Sequence, residues 1–163
     1  MNRVLLLLSI FSLSIFSFSQ ENDDITNAIQ IYCGDAISSS TIGINSDQEY
    51  LSDVGLADCG TPVDGAAGVW YSFIGNGEII QLNMCDSSYD TKLHVFQDDG
   101  FNLTCVGGND DSDCENYLHS KLEFLSQQDY YYYIYVSGYG NNEGDFILSV
   151  NCGVVGCLDT AAC

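Results

Sequence analysis

The sequence predicts an all-β protein, a jelly-roll-like antiparallel β-sandwich of about eight strands that is cross-linked by disulfides. Three observations lead to this fold class. Apolar and polar residues alternate with a period of two along several short segments, which is typical of strands with one face on a core. Clusters of Gly, Asn, Asp and Ser separate these segments. Eight cysteines, an even number, occur in a chain that begins like an exported protein.

The first 19 residues are interpreted as a secretory signal peptide. A short basic start that includes Arg3 precedes an uncharged apolar run over residues 4–18, and acidic residues follow at once. Small residues at positions 17 and 19 place the cleavage after Ser19. An uncleaved membrane anchor is the alternative, but the run is shorter than the ~20 residues that span a bilayer. We therefore expect a secreted protein, extracellular or at the cell surface, where disulfides persist.

The remaining chain, residues 20–163, is strongly acidic. Cleavage removes one of the three basic residues and none of the 23 acids, so two positive charges face 23 negative ones and the formal charge is −21. Such a surface repels nucleic acid and anionic lipid, and it favours cation binding. Disorder is the alternative interpretation of so many acids. The 11 Tyr and 8 Phe argue against it, because they can bury a core.

The elements are predicted in chain order from the same patterns. A helical turn within residues 25–31, with Asp24 as its cap, comes first. Strands are then expected at residues 37–44, 69–74, 79–84, 92–96, 121–124, 130–137 and 145–150. Glycine-containing clusters at residues 75–77, 107–112 and 138–144 are predicted turns. We expect one domain over residues 20–153 and a short cysteine-bracketed tail, residues 154–163.

Four disulfides are expected from the cysteines, which are Cys33, Cys59, Cys85, Cys105, Cys114, Cys152, Cys157 and Cys163. The sequence alone does not fix their pairing. Short spacing favours Cys105–Cys114 and Cys157–Cys163 as local loops. Cys33–Cys59 is the next choice, which leaves Cys85–Cys152 by elimination. No CxxC pair is present and the chain has only two His, so a zinc site is not expected.

Four segments, taken in order, resemble a known family. They are residues 68–73 (GVWYSF), 89–96 (YDTKLHVF), 105–111 (CVGGNDD) and 132–138 (YYIYVSG), the last continuing to 144–150 (GDFILSV). This order is similar to that of the bacterial pre-peptidase C-terminal domain and its relatives in secreted Bacteroidetes proteins. The resemblance implies a jelly-roll sandwich that is usually a non-catalytic module attached to a larger exported polypeptide. Some relatives bind collagen or polysaccharide, and some bind calcium. Family members often carry Cys where this chain has Ile25, and another where it has Asp99 or Gly100.

Acidic residues of the predicted loops are candidate calcium ligands. Calcium takes six to eight hard oxygens from carboxylates, amides and carbonyls, and clustered carboxylates repel one another unless a cation or a hydrogen-bond donor stabilises them. The alternative is that these side chains form turns through their own backbone. No EF-hand spacing is present. The candidates are Asp90, Asn109, Asp110, Asp111, Asp113 and Asp145.

The aromatic run of the strand predicted at residues 130–137 suggests a binding surface. Tyr131, Tyr133 and Tyr135 share one face of such a strand, and the residues between them face the core. Together with Tyr139 on the adjoining loop, they are candidates for a platform on which a sugar or peptide stacks. The alternative is that these tyrosines fill a half-covered face of the sandwich. Trp70 is interpreted as a core residue.

Catalysis has little support in the sequence. His94 and His119 are the only imidazoles, and His94 is expected on the surface of its strand. Neither a G-x-S-x-G elbow nor an H-E-x-x-H motif occurs. We expect a binding or attachment module, not an enzyme, whose partner is an extracellular polysaccharide, a peptide or a protein matrix. Two alternatives remain open: a structural spacer or folding module of a larger exported protein, with no ligand of its own, and a small secreted hydrolase.

Overall fold

The computed structural model describes residues 21–153, which form a β-sandwich of two sheets. The strands are β1 (Ile29–Gln30), β2 (Ala36–Ser40), β3 (Val69–Ile74), β4 (Ile79–Asn83), β5 (Thr91–Asp98), β6 (Leu103–Asn109), β7 (Lys121–Leu125), β8 (Tyr131–Gly138) and β9 (Asp145–Gly153). A 3-10 turn at Ile25–Asn27 precedes β1, and the helix α1 (Gln48–Asp53) lies between β2 and β3. The predicted fold class is confirmed. The predicted signal peptide and the tail with Cys157 and Cys163 lie outside the described residues.

Each sheet is built almost wholly from antiparallel pairs. The five-stranded sheet has the order β1-β3-β8-β5-β6, and the four-stranded sheet has the order β2-β9-β4-β7. Only β1 and β3 pair in parallel among the described strands. The main core lies between the sheets and takes alternate residues of strands such as β4, β8 and β9. Its largest members are Tyr71, Phe73, Phe124, Tyr132 and Phe146.

The predicted strands agree with the observed ones at most positions. β3 has the predicted bounds, and the others differ at their ends. The helical turn is a 3-10 turn of three residues, and Asp24 caps it as expected by accepting from the backbone N–H of Thr26 at 2.8 Å. Both β1 and β6 were missed. Residues 107–109, predicted as turn, belong to β6 because their glycines allow a close backbone approach and do not form a bend.

A long connection, residues 42–68, covers the outer face of the five-stranded sheet, and we call it the covering segment. Leu51 of α1, Leu56, Cys59 and Val63 are buried in it. Together with side chains of the sheet they form a second hydrophobic cluster, separate from the main core. The five-stranded sheet is therefore buried on both faces. Residues of β5 are accordingly buried continuously from Thr91 to Phe96.

Trp70 is the centre of this second cluster, and its assignment as a core residue is confirmed. Its side chain is fully buried, and its ring centroid lies 4.7 Å from that of Tyr135 and 5.9 Å from that of Phe96. The indole Nε1–H donates to the carboxylate of Asp47, just before α1. The backbone N–H of Asp47 in turn donates to the Tyr135 hydroxyl at 3.2 Å. These bonds fix the start of α1 over the sheet.

A close backbone contact fixes the other end of the covering segment. A Cβ atom on Gly108 of β6 would lie 2.1 Å from the carbonyl oxygen of Cys59, and one on Gly60 would lie 2.2 Å from the backbone nitrogen of Gly108. Only glycine fits both positions. Gly60 also has a φ of 75°, which side-chain-bearing residues rarely adopt. The segment therefore docks on β6 through backbone atoms.

The disulfides differ from the predicted pairing. They are Cys33–Cys152, Cys59–Cys105 and Cys85–Cys114, with Cα–Cα distances of 5.3 to 5.5 Å. The predicted pairs Cys33–Cys59, Cys85–Cys152 and Cys105–Cys114 are wrong, because sequence spacing does not report which strands the fold brings side by side. Cys59–Cys105 links the covering segment to β6. Cys33–Cys152 joins the connection after β1 to β9, and Cys85–Cys114 joins two loops.

Within residues 21–153, no helix combines the length and the apolar character that crossing a bilayer requires.

Candidate functional site

An open groove of about 380 Å³ lies where the covering segment meets the end of the five-stranded sheet. We call it the aromatic groove. Its walls come from the 3-10 turn, from α1 and Val54 after it, from the loop between β5 and β6, and from β8. The apolar and aromatic side chains in it are Ile25, Tyr50, Val54, Phe101, Leu103 and Tyr133.

The loop between β5 and β6 holds its shape through two aspartates. Asp98 Oδ1 accepts from the backbone N–H of Gly100 at 2.7 Å. Asp99 Oδ1 accepts from the backbone N–H groups of Phe101 at 2.9 Å and Asn102 at 2.8 Å, and these bonds hold the pKa of Asp99 below its ordinary value. Gly100 supplies the positive φ that the turn needs. This turn carries Phe101, whose side chain is 92% exposed, at the edge of the groove.

Carboxylates surround the tyrosines of the groove. Burial raises the pKa of the Tyr50 hydroxyl, and the negative charges of Asp47, Asp24 and Asp98 raise it further. Burial and the negative charge of Asp98 also raise the pKa of the Tyr133 hydroxyl. The groove is therefore a site of negative potential lined by aromatic rings.

The four tyrosines predicted to form one platform do not lie together. Tyr133 lines the aromatic groove, and Tyr131, 52% exposed, is the first residue of the same strand and pairs with Asp98 of β5. Tyr135 is fully buried against Trp70, so its interpretation as a ligand contact is wrong. The covering segment occupies the surface that the alternation pattern assigned to solvent. Tyr139 is exposed, but it belongs to a different site, beside Lys92.

Three of the predicted calcium ligands come together. Carboxylate oxygens of Asp90, Asp110 and Asp111 lie within 4.8 Å of one another. The Oδ1 atoms of Asp90 and Asp110 are inaccessible and accept no hydrogen bond from the described residues. Burial and the neighbouring carboxylates raise the pKa of Asp90. Burial also raises the pKa of Asp110, although Lys92 acts in the opposite direction. We call these three residues the aspartate cluster.

The other three predicted ligands have different partners. Asp113 forms an ion pair with Lys121, Nζ to Oδ1 2.8 Å, which lowers the pKa of Asp113. Asn109 Oδ1 accepts from the backbone N–H of Lys121 at 3.1 Å. Asp145 is exposed at the start of β9, and its carbonyl oxygen accepts from Ser88. None of the three belongs to the aspartate cluster.

A buried lysine lies next to the cluster, and sequence reasoning did not single it out. The side chain of Lys92 is 2% exposed, and its Nζ lies 2.7 Å from Asp64 Oδ2, 3.4 Å from Asp110 Oδ2 and 3.0 Å from the carbonyl oxygen of Pro62. It also lies 4.9 Å from the ring centroid of Tyr139. Burial opposes ionisation of Asp64, but hydrogen bonds from Lys92 and Gly140 outweigh it and lower the pKa. Lys92 thus anchors the covering segment by charge.

Both histidines have structural partners. His94 was expected at the surface, and this is wrong: it is fully buried under the covering segment. Its Nε2 lies 3.0 Å from the carbonyl oxygen of Thr61, and burial lowers its pKa to about 4. The Nε2–H tautomer is therefore the one that donates. His119 is also buried, with Nδ1 2.7 Å from the carbonyl oxygen of Cys85 and Nε2 3.1 Å from Asn116 Nδ2.

Comparisons with known proteins find matches among solved structures. No protein-family model matches the chain, and no curated protein matches it. A solved structure, the pre-peptidase C-terminal domain of a collagenase from Bacillus anthracis, is 19% identical to this chain with a TM-score of 0.47. The similarity covers 76% of this chain and 94% of that domain.

Proposed function

We propose that this protein is a non-catalytic binding module of a larger exported polypeptide and that it attaches to an extracellular polysaccharide, peptide or protein matrix. The aromatic groove is the observation that carries this proposal. Its volume of about 380 Å³ falls within the usual size of ligand pockets. Its lining joins aromatic and aliphatic side chains to a carboxylate, Asp98. Such a mixture supplies apolar contact and a polar group that orients the ligand.

The surroundings of the groove favour binding because they are held rigidly. Tyr133 stands on a central strand of the sheet. Tyr50 stands on α1, which is fixed by the buried side chain of Leu51 and by the bond from Trp70 to Asp47. Phe101 is carried by a turn closed by three hydrogen bonds. Preorganised aromatic side chains lose little conformational entropy when a ligand binds.

The state of the histidines supports a non-catalytic role. His94 is neutral near pH 7 and buried against Thr61, and His119 is buried between Cys85 and Asn116. Neither ring lines the aromatic groove. A general base must come within hydrogen-bond reach of the proton it removes, and these imidazoles are already engaged in holding loops.

Binding to the groove can be tested with the full exported chain, its disulfides intact, on immobilised polysaccharides and collagen. We expect retention on at least one matrix, and loss of retention in Tyr133→Ala and Phe101→Ala. Tyr117→Ala is the matched control, because Tyr117 is 67% exposed and does not line the groove. If none of these matrices retains the chain, the alternative hypothesis of a spacer or folding module without a ligand is supported. Loss of retention in Tyr117→Ala as well would place binding elsewhere.

A cation at the aspartate cluster is the second part of the proposal. The two inaccessible Oδ1 atoms support it, because carboxylate oxygens that are removed from water need a compensating partner. Three carboxylates fit the hard oxygen ligands that calcium prefers. Lys92 neutralises part of their charge, since its Nζ lies 3.4 Å from Asp110. Asp90, Asp110 and Asp111 would hold the ion, and it would order the two loops that carry them.

Calorimetric titration with calcium tests this second part directly. We expect heat of binding and a rise in melting temperature, both abolished by a chelator and by Asp111→Asn. Asp111 is the choice because it is exposed and forms no hydrogen bond to the described residues, so its replacement changes charge with little change in packing. Glu49→Gln, which removes the same charge from α1, should bind calcium normally. No heat, and no change of melting temperature with chelator, would refute the cation site.

A further inference from the structure

We propose that the aromatic groove binds a cationic side chain of a peptide, the guanidinium of arginine or the ammonium of lysine. This inference rests on the proposed binding function and names the ligand class that the same groove accepts.

The lining of the groove matches the two parts of such a side chain. Ile25, Val54 and Leu103 offer aliphatic surface, which suits the methylene stem of arginine or lysine. Tyr50 and Tyr133 offer aromatic rings, and cations are attracted to the faces of such rings. A wholly apolar ligand would leave the carboxylate of Asp98 without a partner on the groove side.

Asp98 has an oxygen available for the ligand. The backbone N–H of Gly100 donates to Oδ1, and Oδ2 forms no hydrogen bond to the described residues. A guanidinium donates two parallel N–H groups to a carboxylate, and such charge-assisted bonds are about twice as strong as neutral ones. Asp98 is the last residue of β5, and hydrogen bonds close the loop that follows it. The free oxygen of Asp98 is therefore held in place before any ligand binds.

The charge around the groove favours a cation. Asp24 and Asp47 act electrostatically on Tyr50, in addition to Asp98. No basic side chain lines the groove. The two lysines of the described residues are engaged elsewhere, Lys92 with Asp64 and Lys121 with Asp113. The negative potential of the groove is therefore not neutralised within the described part of the chain.

The size of the groove favours a single side chain over a long polymer. A volume of about 380 Å³ lies at the lower end of the range for ligand pockets, which is ~300–1,000 Å³. The hydroxyl groups of a neutral sugar can donate to Asp98, but such a ligand brings no positive charge to neutralise the carboxylate. An arginine or lysine side chain, together with its flanking peptide backbone, fits in this space and neutralises that charge.

The test uses the full exported chain labelled with ¹⁵N and two short peptides. One is acetyl-Gly-Arg-Gly-amide, and the other carries citrulline, the neutral isostere of arginine, in the same position. The titrations are run at an ionic strength of about 0.15 M, where diffuse charge effects are screened beyond ~8 Å. We expect the arginine peptide to shift the amide signals of Tyr50, Phe101 and Tyr133, and the citrulline peptide to leave them unchanged.

Two variants locate the interaction. Asp98→Asn keeps an oxygen that can accept from Gly100, and we expect it to weaken binding of the arginine peptide at least about tenfold. Glu123→Gln removes the same charge from the exposed face of the other sheet and should bind as well as the wild type. An equal loss in both variants would show diffuse attraction to an acidic protein and would overturn the proposal.

The results separate this inference from the function on which it rests. Equal shifts with the citrulline peptide, or no shift with the arginine peptide together with retention on a neutral polysaccharide matrix, would refute the cationic ligand and leave a binding module in place. No shift with any of these probes, together with no retention on any matrix, would refute the proposed function itself.

Discussion

Removing the Cys59–Cys105 disulfide should loosen the covering segment. The bond closes a loop with a sequence separation of 46. In the chain-entropy model, a loop of that length corresponds to about 4 kcal/mol of stability, because the cross-link restricts the unfolded chain. We therefore expect Cys59→Ala with Cys105→Ala to lose about 4 kcal/mol in the free energy of unfolding. A domain of this size then melts about 10 °C lower or more.

The single tryptophan reports on this change directly. Trp70 is fully buried beneath the covering segment, and the chain has no other Trp. Acrylamide should quench its fluorescence more strongly in the double variant than in wild type, before far-UV circular dichroism shows loss of the sheets. The matched control is Cys85→Ala with Cys114→Ala. Its loop, with a sequence separation of 29, predicts a loss of about 3.6 kcal/mol, but it does not touch the covering segment.

Two outcomes would refute this reasoning. A loss below about 1 kcal/mol in the Cys59 and Cys105 variant would mean that the disulfide does not restrict the unfolded chain as the loop model requires. Equal quenching of Trp70 in both variants would mean that the cross-link does not hold the covering segment over the sheet.

Three further predictions concern the anchors of the covering segment. His94 has a pKa of about 4 in the folded chain and about 6.5 when unfolded, so the unfolded state binds the extra proton between these values. The free energy of unfolding is then highest above pH 6.5 and falls by about 3 kcal/mol as the pH drops to 4. Denaturant titrations at several pH values should show that His94→Gln removes this part of the pH dependence. If the stability of His94→Gln falls with pH as steeply as that of the wild type, the prediction is wrong. Lys92→Met leaves the carboxylates of Asp64 and Asp110 without a positive charge beside them. Because both are partly exposed, we expect the free energy of unfolding, measured with urea, to fall by about 2 kcal/mol. An unchanged free energy of unfolding would show that Lys92 does not anchor the covering segment. Gly108→Ala places a Cβ against the carbonyl of Cys59 and should cost at least about 2 kcal/mol in the same assay, whereas Gly153→Ala, where a Cβ meets nothing, should be neutral.

The strands could be predicted because their patterns are local. β3 was predicted with its observed bounds, since Val69–Ile74 is rich in β-branched and aromatic residues. The same logic failed for the outer face of the five-stranded sheet. Alternation identifies one buried face, and it assigned His94 and Tyr135 to solvent. Whether a distant connection returns to cover the second face is a property of the whole fold, not of the strand.

The sequence of the covering segment contains little local pattern from which its structure could be predicted. α1 has six residues and a single buried one, Leu51, which is too short for a helical period to show. Its anchors are equally non-local: a carbonyl oxygen against His94, an ion pair with Lys92, and a disulfide across 46 residues. Disulfide pairing failed for the same reason.

The candidate sites were predictable to different degrees. Asp90, Asp110 and Asp111 were chosen from their residue type and loop position, and the fold brings them together. The aromatic groove was predicted only through Tyr133. Tyr50 comes from α1 and Phe101 from the loop between β5 and β6, and nothing in the sequence near either one indicates that they line the same groove. The sequence Asp98-Asp99-Gly100 was not predicted as a turn, although Asp and Gly are typical turn residues and the structure closes a turn there.

The Cys33–Cys152 bridge has a mechanical consequence. Tension applied to the chain outside these two residues passes through the sulfur–sulfur link and bypasses everything between them. The bypassed stretch has a sequence separation of 119 and would extend to roughly 400 Å if it were pulled straight with its two internal disulfides, Cys59–Cys105 and Cys85–Cys114, also reduced. While the disulfide is intact, the chain between Cys33 and Cys152 does not extend, and the domain transmits a pulling force without lengthening. Once the Cys33–Cys152 bond is reduced, the same force acts on the folded sandwich itself and can unfold and lengthen it.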